Sequence, residues 1–290
     1  MNHALTFYGT GAAESIPNPF CSCRVCQNAR EMGGREIRRR SMFRVSEELC
    51  IDLGPDTVSQ AARFGDLTRL RHVLVTHTHL DHFSYGVMEV RQMAYERGEW
   101  PLRYYLTDKA FEAVSCFSSD SFIAEETGKL LQSGIIEFCR LQFGKTENIS
   151  GMAVTPLRGN HSGQLQENSA NYLIKLPDGK TLYYGLDTGW YLEETLQALR
   201  GAQVDYFISE CTFGLTPGRG EHPQGHLDAF SCERLFRLLA GQGTITEQTH
   251  VYLTHINHYT STGEELESWL RGRNFPCPLT LAYDGLQIEG

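Results

Sequence analysis

Three histidines and one aspartate stand within six positions in the stretch VTHTHLDHFS, where residues 77 to 82 read His-Thr-His-Leu-Asp-His. Neutral imidazoles and a carboxylate are suitable ligands for a borderline divalent ion such as Zn, Mn or Fe. The spacing lets one turn serve two neighbouring ions, with His77 and His79 directed to one and Asp81 and His82 to the other. Four such groups would be costly to bury unpaired. The stretch therefore predicts a metal site rather than a solvated polar turn.

Three more candidate ligands follow apolar, strand-like runs elsewhere in the chain. They are His161 in RGNHSG, Asp187 in YYGLDTG and His255 in VYLTHINH. Each precedes a turn, and loops that leave a rigid sheet commonly carry functional side chains. We expect these residues to converge with the His77 to His82 stretch on a common site.

A second cluster consists of thiols. Cys21, Cys23 and Cys26 form a CxCxxC run in FCSCRVCQNAR. Three thiolates this close can hold one tetrahedral structural zinc ion if a fourth ligand comes from elsewhere. His258, three residues after His255, is the preferred candidate for that ligand, and His222 is an alternative. Free thiols or a redox pair are the alternative to a zinc site.

The order of the elements indicates an α/β chain. Short β-rich runs alternate with amphipathic stretches, an arrangement typical of sheets covered by layers of helix. Predicted strands include ALTFYG, ELCIDLG, RHVLVTH, MAVTPL, NYLIKL, KTLYYGLD, DYFISE, HVYLTH and LTLAYDG. Predicted helices cover residues 83–97, 108–117, 120–132, 191–200, 228–241 and 262–271. No linker divides the chain, so we expect one domain over residues 1–290, with the irregular stretch 214–225 as a mobile flap.

Composition restricts the partners. The 290 residues carry a formal net charge of −9, which gives no global attraction to a nucleic acid polymer and favours a small substrate. The one basic cluster, residues 35 to 44, is either a phosphate-attracting patch or a solvated edge or oligomer contact. No run of about 18 apolar residues predicts a membrane span. The N-terminus lacks a signal-peptide pattern, and the nine cysteines favour reduced thiols over disulfides, so we expect a cytoplasmic protein with no membrane partner.

Taken together, the His77 to His82 motif and the later strand-end ligands resemble the metallo-β-lactamase superfamily of binuclear hydrolases over nearly the whole chain. The resemblance implies an αββα sandwich of two mixed β-sheets flanked by helices. It also implies that His77, His79 and His161 hold one metal ion. Asp81, His82 and His255 would then hold a second ion, and Asp187 would bridge the two. Asp52, the strand-end aspartate of ELCIDLG, either supports the histidine loop or caps the following turn.

The thiol cluster and the THINH stretch make the resemblance more specific. Together with the His77 to His82 motif they are similar to PhnP-type phosphodiesterases, and PqqB-type proteins share the cysteines. The resemblance implies two active-site ions, Mn or Zn, one structural zinc, and a homodimer. It also implies a metal-bound hydroxide that attacks a small phosphodiester, such as a cyclic ribose phosphate or a nucleotide phosphodiester.

The same resemblance implies that a histidine acts as a proton donor. His226 in QGHLDAF corresponds to a non-ligand histidine near the scissile phosphate, and Glu210 at the end of DYFISE is a candidate to hydrogen-bond its other nitrogen. With Asp81 these two residues form the expected catalytic set. The alternatives are a helix N-cap neighbour for His226 and a surface carboxylate for Glu210.

Two other functions share the same motifs. One is ribonuclease Z-like processing of RNA, although the short interval between His161 and Asp187 leaves no room for a long RNA-gripping arm. The other is a PqqB-like protein that binds a small ligand without hydrolysing it.

Overall fold

The computed structural model describes residues 5–95, 98–117 and 128–288. Within these residues the strands form two mixed seven-stranded sheets. The first sheet has the order β14-β1-β2-β3-β4-β5-β6, and its strands are β1 (Leu5–Gly9), β2 (Met42–Arg44), β3 (Leu49–Ile51), β4 (His72–Leu74), β5 (Leu102–Thr107), β6 (Ile136–Leu141) and β14 (Gln287–Ile288). The second has the order β13-β12-β11-β10-β9-β8-β7, and its strands are β7 (Glu147–Ile149), β8 (Met152–Ser162), β9 (Asn168–Lys175), β10 (Thr181–Gly185), β11 (Tyr206–Glu210), β12 (His250–Thr254) and β13 (Leu279–Leu281).

Helices cover the outer faces of both sheets. The labelled helices are α1 (Arg24–Met32), α2 (Thr57–Phe64), α3 (Tyr85–Met93), α4 (Asp108–Phe117), α5 (Glu193–Leu199), α6 (Ala229–Gly241) and α7 (Gly263–Arg271). Residues 128–132 are also helical. Apolar side chains of α3 and α4 pack against the first sheet, and those of α5, α6 and α7 pack against the second.

Alternation along the strands explains why the sheets are buried on both faces. In β10, Leu182 and Tyr184 point into the core between the two sheets, while Tyr183 points to the helices outside. The neighbouring strand β11 repeats the pattern, with Ile208 in the inner core and Phe207 in the outer one. Because side chains of a strand alternate between the two faces, a continuous apolar run of this kind is buried on both. The four layers of the predicted αββα sandwich follow, and that prediction is confirmed.

The parallel strands bring distant residues to one end of the sandwich. Strands β10, β11 and β12 run parallel, and Asp187, Glu210 and His255 lie at or just after their carboxyl ends. In the first sheet β3 and β4 are parallel as well, and Asp52 and His77 follow them. Carboxyl ends of parallel strands in one sheet open at the same edge, where ligands bind in many α/β proteins.

Most predicted elements are present, with boundaries that differ by a few residues. The predicted helix 83–97 is shorter, spanning Tyr85–Met93, and residues 120–127 of another lie outside the described part of the chain. The prediction omitted α1, α2 and the strands β2, β5, β6, β7 and β14. In the described ranges, no helix has the length and apolar character needed to cross a membrane.

Candidate metal centre

The His77 to His82 motif forms a tight turn after β4. The N–H groups of His82 and Phe83 both donate to the carbonyl oxygen of His79, at 3.0 Å each. The chain then runs into α3. This single turn closes the motif on itself, so that side chains two to five residues apart face the same space. The spacing of the motif and the hydrogen bonds of this turn therefore bring its side chains together.

Three imidazoles form what we term the first metal group: His77, His79 and His161. Nδ1 of His79 lies 2.9 Å from Nε2 of His77 and 3.3 Å from Nε2 of His161, which is carried by β8. Burial lowers the pKa of each of these side chains, and that of His77 falls well below its usual range. Neutral imidazoles with free electron pairs are the form that binds a metal ion.

A second metal group consists of Asp81, His82 and His255. Oδ2 of Asp81 lies 3.1 Å from Nε2 of His82 and 3.9 Å from Nε2 of His255. The ring of His82 also lies 4.4 Å from that of His77, between centroids, so the two metal groups adjoin. The turn therefore contributes side chains to both groups.

Asp187 lies between the two groups. Its Oδ2 atom is 3.2 Å from Nε2 of both His82 and His255, and its Oδ1 atom is 4.0 Å from Nε2 of His161. Burial disfavours the charged form, but His255 and His82 outweigh it and hold the pKa of Asp187 well below its usual range. The two oxygens of one ionised carboxylate thus face different groups, which is the arrangement needed for a bridging ligand.

Unpartnered buried atoms indicate that cations fit this site. Among the described side chains, Nε2 of His82, Nε2 of His255 and Oδ2 of Asp187 are buried, and their 3.2 Å contacts with one another lack hydrogen-bond geometry. Orphaned polar atoms are rare in folded proteins because they cost the full desolvation energy. Asp187 and His255 also have φ angles of 50° and 57°, a region that non-glycine residues rarely occupy and that is common at functional sites.

The charge of the second group leads to the same conclusion. Burial opposes protonation of His82, yet the surrounding carboxylates, led by Asp81 and Asp187, hold its pKa well above the usual range. Protonation of His82 would neutralise part of this negative charge if no cation were bound. A divalent ion would supply positive charge in its place and leave the imidazole free to bind.

Asp52 supports the histidine turn from β3. Its Oδ2 atom lies 2.7 Å from Nδ1 of His82, and its two oxygens accept from the N–H and the hydroxyl of Thr76, each at 2.8 Å. The hydrogen bond at Nδ1 turns Nε2 of His82 toward the metal group. Of the two roles considered for Asp52, the structure places it in support of the histidine loop.

Glu210 occupies the centre of a hydrogen-bond network that sequence analysis recognised only in part. One oxygen accepts from the N–H groups of Thr188 and Gly189, directly after Asp187, at 2.7 and 2.9 Å. The other accepts from the hydroxyl of Thr212 at 2.6 Å. That hydroxyl also lies 2.8 Å from Nδ1 of His255. Glu210 is fully buried and is therefore not the surface carboxylate that was the alternative.

His226 completes the network. Its Nδ1 atom lies 3.0 Å from Oε2 of Glu210. Burial disfavours the imidazolium, but Glu210 outweighs burial and raises the pKa of His226 to about 9. The ring stacks 5.6 Å from that of His255 and lies 4.7 Å from that of His161, between centroids, so it faces both metal groups. Helix α6 begins nearby, with Asp228 as its N-cap two residues after His226.

His226 also fits the geometric description of a metal ligand, since His161, Asp187 and His226 offer ligand atoms within 4.8 Å of one another. Its Nδ1 atom is 3.7 Å from Oδ1 of Asp187 and closer to Glu210. Because Nδ1 is committed to Glu210, the atom available for chemistry is Nε2.

The thiol cluster gathers Cys21, Cys23, Cys26 and His258 within 4.8 Å. Nδ1 of His258 lies 3.2 Å from the sulfur of Cys26 and 3.4 Å from that of Cys23. Burial opposes ionisation of Cys23, but hydrogen bonds led by the N–H of Cys26 lower its pKa to about 6. Burial raises the pKa of Cys26 to about 11. Three sulfur atoms and one imidazole nitrogen make four ligands, the number and the types that a tetrahedral structural zinc ion prefers.

His222, the alternative fourth ligand, lies elsewhere. Its ring stacks on Trp190, 4.3 Å between centroids, in the segment 214–225. The same segment is held by main-chain hydrogen bonds, in which Trp190 donates to Pro223 and Gly225 donates to Asn160, at 2.7 and 2.9 Å. The end of the expected flap that precedes His226 is thus packed against the turn after Asp187 and the strand of His161.

The basic cluster of residues 35 to 44 is used inside the molecule. Arg38 is buried and donates to the carbonyl oxygen of Ala282 at 2.6 Å. Arg39 pairs with Asp284, and Arg40 pairs with Asp56. These three guanidinium groups therefore hold loops together inside the molecule.

Residues 48 to 256 match the sequence model of the family described as the beta-lactamase superfamily domain. The chain belongs to this superfamily. The predicted membership is thereby confirmed, and the matched region contains all the residues of both metal groups together with Asp187, Glu210 and His226.

Three solved structures share the fold over nearly the full chain. A diphosphatase from the PhnP family has a TM-score of 0.72 and 21% identity, covering 100% of this chain and 98% of that one. Zinc-bound PqqB from Methylobacterium extorquens has a TM-score of 0.71 and 18% identity, covering 99% of both chains. The human short-form tRNase Z has a TM-score of 0.63 and 16% identity, covering 99% of this chain and 98% of that one. At these identities the comparison establishes the shared fold.

One curated relative matches a short stretch. An octanoyltransferase of Porphyromonas gingivalis is 32% identical over 92 residues, which are 31% of this chain and 18% of that protein. The match thus spans less than a fifth of the relative's length.

Proposed function

We propose that this superfamily member is a binuclear metal-dependent phosphodiesterase that hydrolyses small substrates. The observation that carries the proposal is the position of Asp187, whose two oxygens face the two metal groups, 3.2 Å from His82 and His255 on one side and 4.0 Å from His161 on the other. Two divalent ions, Mn or Zn, held there would polarise a phosphoryl oxygen and supply a nucleophilic water at neutral pH.

The chain's own residues supply proton transfer and orientation. Glu210 fixes His226 through Nδ1, so Nε2 carries the proton that can pass to the departing alkoxide. A positioned general acid of this kind typically contributes about 10² to 10⁴ in rate. Asp81 serves as an ionised ligand of the second group, because His82 outweighs burial and holds its pKa well below the usual range. These roles support hydrolysis rather than simple ligand storage.

The size of the substrate follows from the connections around the site. Strands β8 and β9, which lead from His161 toward Asp187, are joined by residues 163–167 only. This connection provides no arm for gripping RNA. The net charge of −9 also gives no global attraction to a polyanion. Both features favour a small phosphodiester over a ribonuclease Z-like substrate.

A substrate panel tests the proposal. Protein reconstituted with Mn or Zn is assayed on bis-p-nitrophenyl phosphate, 2′,3′-cyclic nucleotides, precursor tRNA, an acyl lactone and an octanoyl thioester, the last because of the short octanoyltransferase match. We expect turnover of the small phosphodiesters, lost on chelation and in the Asp187→Asn variant. Turnover of precursor tRNA alone would support the ribonuclease Z-like alternative. Binding without turnover on any substrate would support the PqqB-like one.

A further inference from the structure

A buried carboxylate outside both metal groups contacts the middle of the histidine motif. Glu167 has no exposed surface, and its Oε1 atom accepts from the N–H of Thr78 at 2.5 Å and from the hydroxyl of the same residue. Thr78 is itself buried and stands between His77 and His79. The two residues in contact are 89 positions apart in the chain.

The connection after β8 has a backbone conformation that places this carboxylate against Thr78. Gln164–Gln166 form a short 3₁₀ turn, in which Leu165 and Gln166 adopt φ angles of 50° and 57°. A Cβ atom at Gly163 would lie 2.3 Å from Oε1 of Glu167, so any larger residue there would displace this side chain. Strained backbone and a buried carboxyl group are both costly. Hydrogen bonds from the N–H and the hydroxyl of Thr78, with a further one from the N–H of Gln164, offset this cost.

The same contact links all three ligands of the first metal group. Thr78 carries His77 and His79 on either side, and Glu167 follows closely on the strand end that carries His161. We propose that Glu167 is a positioning residue for the ion of the first metal group, holding the histidine turn against the strand of His161. The inference rests on the metal pair of the proposed function and adds a residue that sets the affinity of one member of that pair.

The second metal group has a separate support of the same chemical kind. The hydroxyl of Thr212 donates to Glu210 and lies 2.8 Å from Nδ1 of His255. The first group is thus braced through Thr78 and the second through Thr212. This division provides a matched pair of variants, since Thr→Val keeps the side-chain volume and removes only the hydroxyl.

Titration of metal-stripped protein with Zn²⁺ against a chromophoric chelator tests the inference. We expect Glu167→Met to weaken the binding of one active-site ion by roughly 10- to 100-fold, the usual range for a residue that orients ligands. Glu167→Gln keeps an oxygen that can accept both hydrogen bonds from Thr78, so this variant should retain nearly wild-type affinity. Thr78→Val, which retains the N–H donor, should weaken the same ion less. Thr212→Val should leave that ion unchanged.

Combining variants assigns the effect to one group. In a His79→Ala background, which removes a first-group ligand, Glu167→Met should cause no further loss of metal affinity. In a His255→Ala background, Glu167→Met should weaken metal binding as much as it does in the wild type. Wild-type affinity for both ions in Glu167→Met, or equal losses in Glu167→Met and Glu167→Gln, would overturn the inference. If Glu167→Met fails to fold, Thr78→Val and Glu167→Gln decide it, since unchanged affinity in Thr78→Val would contradict it. A wild-type chain that binds one active-site ion overturns the binuclear proposal, and the effect of Glu167 variants on that ion then decides the inference.

Discussion

Oε2 of Glu210 lies 3.0 Å from Nδ1 of His226, and the same oxygen accepts from the hydroxyl of Thr212, which adjoins His255. One buried carboxylate therefore connects the candidate proton donor with the second metal group. Because its other oxygen holds the turn after Asp187, Glu210 fixes the relative positions of acid and bridging ligand.

Replacing Glu210 by Gln tests this electrostatic connection. The carboxylate raises the pKa of His226 to about 9, so its removal should lower that pKa. A general acid must be protonated, and activity that depends on it is present below its pKa and lost above. The alkaline limb of the pH–rate profile on an alkyl phosphodiester should thus move to lower pH in Glu210→Gln. Superimposable alkaline limbs would argue against the pairing.

Replacing His226 by Asn tests its role as the acid. Loss of the proton donor should slow hydrolysis of an alkyl phosphodiester by a factor of about 10² to 10⁴, because its leaving alkoxide is a strong base. An aryl ester such as bis-p-nitrophenyl phosphate has a stable leaving group and should be affected much less. Rates are measured at saturating metal, alongside metal content per chain. Equal losses on both substrates would exclude the acid role, and the loss of one ion would make His226 a ligand.

Replacing Cys23 by Ser tests the thiol cluster. Structural zinc contributes to folding, so the variant should lose one zinc ion and unfold at a lower temperature. His258 lies three residues after His255, so weaker binding in the second metal group should accompany the loss. The matched control is Cys139→Ser, which alters a half-buried thiol on β6 outside the cluster. Equal zinc content and thermal stability in the two variants would contradict a structural zinc.

Sequence patterns predicted the residues whose spacing is local. The histidine turn and the CxCxxC run each lie within one short segment, and the strand-end residues Asp187 and His255 follow apolar runs that are easy to recognise. These side chains meet because parallel strands deliver their carboxyl ends to one edge. The fold class followed from the same alternation.

Contacts between distant segments could not be predicted from the sequence. Glu167 and Thr78 lie 89 positions apart, and nothing in the residues around Glu167 marks it as buried. Thr212 is likewise an ordinary threonine until the fold brings it to His255. The short strand β2 was missed because three residues carry too little periodicity, and its pairing with β1 and β3 decides its conformation.

Metal content per chain tests the central claim most directly. Protein dialysed against Zn²⁺ or Mn²⁺ and then against metal-free buffer is analysed by elemental mass spectrometry, for the wild type and for Asp187→Asn. The binuclear account predicts two active-site ions in the wild type besides the thiolate-held zinc, and the loss of at least one active-site ion together with activity in Asp187→Asn. A wild-type chain that retains only the thiolate-held ion under every loading condition would contradict it.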